Sequence, residues 1–439
     1  MNPEKQNWGL DSKMQKAVVH LIDIALIFIM NAFLLNLPIA ISTISSLIIY
    51  LGIYSFRTYD TETMNSYTES LIKTSVGTLV SFIVILIIYF FLSKYFNRYF
   101  FLTNLLYTIT LLPIIHKIEY NIYEKHMPVK NYLVIGRKEE IGHIMEEISE
   151  KSLNKIKFTQ YINPNPVTLD EIIKQNTQKT LTQTIHGIVI SDPELEERVK
   201  PQIQNYKAEG LEIQYLPNMV EKYLKRIPIE VAQKFKEYYE VVFQNVQPSP
   251  SQKIIDKFFG TLLLILFSPF MLIISLAILI EDGKPIIYKQ KRMGKDEQTF
   301  IINKFRSLKD AEIDPNDPNK DIEKRVLKSG KIIRKLRLDE LPQFLNIIKG
   351  NMSIVGPRPE MLEFHNMMSN QIPFYNYRLK LNPGITGWAQ ICYKHTSTLE
   401  DYMKKTEYDL YYIKNRNIFL DIKIMLKTFE TMVGMRGTR

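Results

Sequence analysis

Four apolar runs near the start of this chain limit what it can become more than any other feature. They cover residues 17–35, 37–56, 71–92 and 99–115, each near the roughly 20 residues with which a helix crosses a bilayer. Up to Lys117 the sequence carries only 8 Lys+Arg and 6 Asp+Glu. Helices of a soluble bundle would each show a polar stripe, and these runs show none. Four transmembrane helices are therefore expected within 1–120. Lys5, Lys13 and Lys16 before the first run, and Lys117, Lys125 and Lys130 after the fourth, favour both ends on the cytoplasmic side. Lys94 and Arg98 are a minority vote the other way. Asp23 is an ionisable interruption near a helix end, in reach of a headgroup or a neighbouring helix. No small-residue cleavage pattern follows the first run, so a removable signal peptide is not expected.

Residues 130–245 read differently. Short β-like runs at 132–136, 155–162, 185–191 and 211–216 alternate with charged, helix-compatible segments. That is the βαβ rhythm of a parallel sheet, here a Rossmann-like α/β domain. Asn131-Tyr-Leu-Val-Ile-Gly136 resembles the first strand of a dinucleotide-binding fold, but the position of the second loop glycine is Lys138. That glycine is what lets backbone approach a pyrophosphate. No acidic residue closes the second strand, so the expected role is scaffolding or regulation. Pro248-Ser-Pro250-Ser reads as a linker.

A mostly apolar stretch over 258–280 opens the last domain, 251–439. It is long enough for another crossing, but Ser268-Pro269 sits in its middle, and proline removes a helical hydrogen bond there. Lys253 and Lys257 before it and Lys284, Lys289, Lys291 and Arg292 after it favour the same side. A re-entrant helix over 254–281, broken at Ser268-Pro269 with the serine hydroxyl taking up a freed carbonyl, satisfies both facts. A kinked fifth crossing is the alternative.

Charge marks the same domain. The net charge is +10, and the whole excess lies from Pro250 onward, with 31 Lys+Arg against 21 Asp+Glu. A cationic module beside apolar segments suits anionic lipid and phosphate ligands rather than nucleic acid. Lys304, Arg306, Arg334, Arg337 and Arg358 are cations suited to phosphate oxygens, the arginines through their guanidinium forks. Among them stands Asp339-Glu340, with apolar Leu338, Leu341, Leu345 and Ile348 at helical spacing. Neighbouring residues on a helix point about 100° apart, so one carboxylate can face a ligand while the other orients it. The single cysteine, Cys392, excludes a disulfide framework and reads as a packed small residue. His365 and His395 lack metal-ligand spacing.

Lys304-Phe-Arg-Ser-Leu308, Leu338-Asp-Glu-Leu341, Gly350-Asn-Met-Ser-Ile-Val-Gly-Pro-Arg-Pro-Glu360 and Asn382-Pro-Gly-Ile-Thr-Gly-Trp-Ala-Gln390, in this order, resemble the bacterial sugar transferase family. These are the monotopic polyprenyl-phosphate phosphoglycosyltransferases. The four spans and the α/β unit resemble, more loosely, the long forms that initiate exopolysaccharide, capsule and O-antigen synthesis. The resemblance implies a re-entrant helix broken at Ser268-Pro269 and a mostly α catalytic domain. It implies Asp339 as nucleophile toward a UDP-sugar, with UMP released and the phosphosugar passed to undecaprenyl phosphate. Glu340 would position a metal or assist as base, and Mg²⁺ would lie by Asp339. Lys304, Arg306, Arg334, Arg337 and Arg358 would stabilise phosphoryl charge, with Pro357 and Pro359 fixing Arg358. Lys394 stands where many members carry an arginine. The expected setting is the bacterial inner membrane, catalytic domain on the cytoplasmic face, with membrane lipids as partners and a homodimer as the assembly. A membrane-bound nucleotide sensor or a non-catalytic scaffold is the competing reading; the first would require the glycine loop that the α/β unit lacks.

Overall fold

The computed structural model describes residues 12–433 except 57, 61–62, 65–66, 93–95, 127–128, 164–168, 174–184, 310–324 and 394–397. The chain divides into two compact units, Met1–Pro128 and Val129–Arg439.

The first unit contains helices α1 (Ser12–Ile29), α2 (Ile39–Ser55), α3 (Tyr67–Leu92) and α4 (Arg98–His126). Windows in α1, α3 and α4 are long and apolar enough to cross a membrane. The second expected span is shorter than read, a 17-residue apolar helix, because Pro38 stands at its N-cap and cannot extend a helix backward. The polarity of the unit is inverted relative to a soluble bundle. Ser42, Ser45, Ser46, Thr74, Thr78, Ser81, Asn104 and Thr108 are buried, while Leu21, Phe33, Leu51, Ile83, Ile87 and Leu106 are exposed. Helices in lipid pack this way, because apolar side chains gain nothing by leaving the tails and polar ones need partners. Asn104 donates to Asn31 at 2.9 Å, and Asn31 to Ser46 at 3.0 Å. Gly52 and Gly77 let α2 and α3 touch along their backbones. A Cβ at Gly77 would sit 2.7 Å from the Ile53 Cα, and one at Gly52 2.4 Å from the Gly77 oxygen.

The second unit opens with β1 (Lys130–Ile135), α5 (Lys138–Lys151), β2 (Ile156–Ile162), β3 (Gly187–Ile190), α6 (Pro193–Glu197), α7 (Lys200–Ala208) and β4 (Glu212–Tyr215). The strands form one parallel sheet in the order β2-β1-β3-β4. Strand alternation divides its side chains between two cores. Leu133, Ile135, Ile188 and Ile190 pack with Leu195, Val199 and Ile203; Tyr132, Val134 and Val189 pack with Ile141, Ile144 and Ile148. The second core runs on into Trp388, Leu410, Tyr412 and Ile424. The sheet and the C-terminal region, read from sequence as separate domains, thus share one interior. Arg226 pairs with both Glu147 and Glu407, and the Trp388 indole donates to the Lys225 carbonyl at 2.8 Å.

After α8 (Ile229–Lys234) and α9 (Lys236–Gln244) comes α10 (Pro250–Asp282). Where two segments with a break were expected, one 33-residue helix contains Pro269. The local repair anticipated for the proline is present: Ser268 Oγ donates to the Ile265 carbonyl at 2.7 Å, the group that an N–H at 269 would otherwise reach. Residues flanking the proline are exposed and apolar, among them Ile265, Leu266, Phe270, Leu272 and Ile273. Both ends of α10 are held by the same unit. Asp256 accepts from Ser353 Oγ at 2.6 Å and from the Ile354 N–H at 2.9 Å. Glu281 accepts from the Ser329 N–H at 2.9 Å, and Arg306 lies 3.1 Å from Asp282.

The remaining elements are the hairpin β5 (Ile287–Met293) and β6 (Thr299–Phe305), α11 (Lys328–Lys335), α12 (Phe344–Ile348), β7 (Ser353–Val355), α13 (Leu362–Gln371), β8 (Gly384–Thr386), α14 (Trp388–Cys392), α15 (Leu399–Asn415) and α16 (Ile418–Val433). Helix α16 buries Ile424, and its Asp421 accepts from Tyr412 at 2.7 Å.

Candidate active site

Lys304 and Phe305 are consecutive on β6 and point to opposite faces. Phe305 enters a core with Ile274, Ile278 and Leu341, which leaves Lys304 facing the next segment. Helix α11 stops at Leu336, and Arg337 takes a left-handed conformation, φ 54 and ψ 23. Leu338–Gln343 follows as a 3₁₀ turn, then α12. The continuous helix read from Leu338, Leu341, Leu345 and Ile348 is therefore broken and tightened. Leu345 is exposed while Ile347 is buried, because a 3₁₀ turn shifts the stripe from which a uniform helical period was projected.

The tight turn gives the two carboxylates opposite surroundings. Glu340 is buried, its Oε1 3.1 Å from Lys304 Nζ and 3.3 Å from Arg358 Nη2, and its Oε2 3.9 Å from Arg337 Nη1. Burial pushes its carboxyl up, but Arg358, Lys304 and Arg337 outweigh burial and hold it down at about 2. Asp339 is half-buried. Among the described residues no side chain is bonded to its carboxylate. Burial and the Glu340 charge raise its pKa, with Lys304 opposing. One carboxylate thus gathers the cations, and its neighbour is left open, more basic than usual and a short step from them.

The arginine that completes this group is mounted rigidly. Pro357 and Pro359 are buried on either side of half-buried Arg358. Four consecutive carbonyls of this loop are occupied: Pro357 by the Gly384 N–H at 2.9 Å, Arg358 by Arg378 at 3.0 Å, Pro359 by Arg292 at 3.1 Å and Glu360 by the Met293 N–H at 3.1 Å. Beneath it lies a charged network that sequence reading missed. Arg378 donates to Asp409 through Nε at 3.2 Å and Nη2 at 2.9 Å, and Lys405 pairs with Glu360. Burial raises the Glu360 carboxyl, but Lys405 and Arg378 bring it below its ordinary value. Lys405 and Asp409 are four apart on α15, a spacing too common to single out; only Glu360 lay inside a recognisable motif.

Not every expected cation arrives here. Arg306 instead donates to the carbonyls of Asp282 and Gly283 at 2.8 and 2.9 Å. Its place on the far side of Phe305 aims it at the end of α10, where a cation meets the negative end of a helix. Arg334 is exposed on α11, its carbonyl accepting from the Arg337 N–H at 3.2 Å. Lys394 and His395 lie outside the described residues. His365 is buried, and burial lowers its pKa. Cys392 packs half-buried against the core, as read. In the α/β sheet, the first turn of α5 carries Glu139 and Glu140, charges that oppose a pyrophosphate at that helix start.

The bacterial sugar transferase family model matches residues 248–435. An uncharacterized sugar transferase of Bacillus subtilis is 38% identical over 159 residues, 35% of this chain and 73% of that protein. The chain belongs to the bacterial sugar transferase family. A UDP-N-acetylgalactosamine-undecaprenyl-phosphate N-acetylgalactosaminephosphotransferase of Aeromonas hydrophila is 44% identical over 175 residues, 40% of this chain and 41% of that protein. A UDP-glucose:undecaprenyl-phosphate glucose-1-phosphate transferase of Escherichia coli (strain K12) is 42% identical over 182 residues, 39% of this chain and 38% of that protein. The chain thus spans about two fifths of the length of these last two relatives. Every residue of the site described above falls within the family match.

Proposed function

We propose that this protein transfers a sugar-1-phosphate from a UDP-sugar to undecaprenyl phosphate, as a phosphoglycosyltransferase with a covalent intermediate on Asp339. The observation that carries the reading is the division of labour in the 3₁₀ turn. Glu340 holds Lys304, Arg337 and Arg358 together, while Asp339 beside it is unpaired and half-exposed. An Asp339 oxygen attacks the β-phosphorus of the UDP-sugar, the bond to the bridging oxygen breaks, and UMP leaves with that oxygen. The phosphate of undecaprenyl phosphate then attacks the same phosphorus, giving undecaprenyl-diphosphate-sugar and returning the free carboxylate. The covalent step divides one difficult displacement into two easier ones. Lys304, Arg337 and Arg358 are placed to stabilise charge on the phosphoryl oxygens, and the occupied carbonyls of the Pro-Arg-Pro loop leave the Arg358 fork little freedom to lose.

The unpaired Asp339 carboxylate is a hard oxygen donor of the kind Mg²⁺ prefers, and Asp339 would hold that ion. When bound, Mg²⁺ neutralises diphosphate charge. Glu340, saturated by three cations, serves as the organiser of the anion site. Arg334, exposed one turn before Arg337, would meet the nucleotide from outside. The two ends of α10, fixed to one body, support a re-entrant helix whose exposed apolar face enters the cytoplasmic leaflet of the inner membrane and returns. The two named relatives act on different sugars, glucose and N-acetylgalactosamine; we favour a hexose such as glucose or galactose, and a homodimer as the assembly.

The test is UMP release from a panel of UDP-sugars with undecaprenyl phosphate, together with intact-mass detection of a phosphosugar adduct. Wild type should form the adduct when the lipid is withheld, and Asp339→Asn should form none. Normal turnover by Asp339→Asn would remove the proposed nucleophile.

A further inference from the structure

The four-helix unit encloses a polar cluster that the transferase reaction does not use. Asp23 on α1 is 0% exposed. Its Oδ2 accepts from the Tyr59 hydroxyl at 2.6 Å and lies 2.7 Å from His116 Nε2 on α4. The other imidazole nitrogen, Nδ1, is 3.2 Å from Ser70 Oγ on α3. Glu119, one turn beyond His116, closes the group. One ligand atom from each of Asp23, His116 and Glu119 lies within 4.8 Å of the other two.

A second observation is independent of that spacing. Asp23 Oδ1 and both carboxylate oxygens of Glu119 are buried without a hydrogen-bond partner. Among the described residues, neither carboxylate pairs with a lysine or arginine. Two inward carboxylates with only the His116 imidazole between them to offset their charge are costly in a medium that solvates ions as poorly as a bilayer interior. The imidazole can serve a ligand without rearranging. With its proton on Nε2 the ring donates to Asp23 and Ser70 donates to Nδ1; with an ion at Nε2 the proton sits on Nδ1 and donates to Ser70, so the same contacts hold the ring in either state.

We propose that Asp23, His116 and Glu119 form a binding site for one divalent transition-metal ion of the Zn²⁺ class. One imidazole and two carboxylates supply the mixed nitrogen–oxygen donor set that such ions take, whereas Mg²⁺ and Ca²⁺ favour oxygen alone. Two negative charges match a 2+ ion. Tetrahedral ligands at zinc distances of about 2.0–2.2 Å stand roughly 3.3 Å apart, so modest side-chain rotations close the group. Ser70 and Tyr59 fix the ring and one carboxylate from behind, as outer partners of metal ligands do. The ion would clamp α1 to α4.

The test uses the full-length chain in detergent, stripped with chelator and then equilibrated with Zn²⁺. Metal content and melting temperature are read, with Co²⁺ substitution giving ligand-field absorption. All measurements are made in an Asp339→Asn background, so that metal at the transferase site does not contribute. Wild-type bundles should bind one Zn²⁺ per chain and melt higher when loaded. The near-isosteric Asp23→Asn/Glu119→Gln variant, judged folded by its elution and helical signal, should lose both effects. Ser70→Ala, which keeps every ligand, should weaken binding roughly tenfold. Equal Zn²⁺ content in wild type and the double variant, or a wild-type melting temperature indifferent to Zn²⁺, would overturn the proposal and assign the cluster to shared protons.

Discussion

Neutralising Glu340 and neutralising Asp339 should change stability in opposite directions, although the two carboxylates are adjacent. Glu340 is held from its usual 4.5 down to about 2. At 1.36 kcal/mol per unit, its charged form therefore contributes about 3 kcal/mol to the fold. A lowered folded-state value means that this contribution is complete above pH 4.5 and disappears as pH falls toward 2. For the second compact unit, Val129–Arg439, about 2 °C of melting temperature accompanies each kcal/mol, so Glu340→Gln should melt roughly 6 °C lower at neutral pH. The gap to wild type should narrow below pH 4.5. Asp339 has the reverse sign: burial and the Glu340 charge raise its pKa, so the fold disfavours its ionised form, and Asp339→Asn should melt at or above wild type while losing transfer. Fluorescence of buried Trp388, with Trp8→Phe removing the other tryptophan, reports this unit. A Glu340→Gln protein melting within about 1 °C of wild type at pH 7, or an Asp339→Asn protein clearly less stable, would refute the argument that the 3₁₀ turn separates an organising carboxylate from a reactive one.

Three further outcomes follow from named contacts. Arg358→Ala should lower kcat by about 10²- to 10³-fold, and Arg358→Lys should recover part of that loss without the paired geometry of the fork, read by UMP release. Arg306→Gln should destabilise the second unit by about 1–3 kcal/mol by leaving the Asp282 and Gly283 carbonyls and the half-exposed Asp282 carboxylate without their guanidinium, yet leave the KM for UDP-sugar unchanged in the folded fraction; a KM effect would return Arg306 to the substrate site. Ser268→Ala should cost about 1–2 kcal/mol in melting experiments by orphaning the Ile265 carbonyl, and Ser268→Ala/Pro269→Ala should restore it, because an N–H at 269 reaches that carbonyl.

What could be read from the sequence was whatever depends on local pattern. Apolar length located the four helices of the first unit, and period-two runs located the four parallel strands to within a few residues. Composition marked Lys304, Arg337, Arg358, Asp339 and Glu340, which the fold brings together. Direction was harder to read. Arg306 is two residues from Lys304, and strand alternation alone would put both on one face, yet β6 ends at Phe305 and the chain's exit turns Arg306 to the end of α10. The left-handed Arg337 breaks the helical period, so the apolar stripe projected from Leu338 failed at Leu345. Arg378, Lys405 and Asp409 support the Pro-Arg-Pro loop through contacts separated by 20 to 45 residues, which no local motif records. Asp23 was visible as an interruption, but His116 and Glu119 meet it only across the bundle.

The anchoring of α10 has one more consequence. Gln252 and Asp256 near its start and Glu281 and Asp282 at its finish grip the body that carries the 3₁₀ turn. The oily face around Pro269 and the Asp339 carboxylate are consequently parts of a single rigid gauge. Under the proposed function, with that face bedded in lipid to whatever depth, the height of Asp339 above it would be constant, and a lipid phosphate would have to be brought up to meet it.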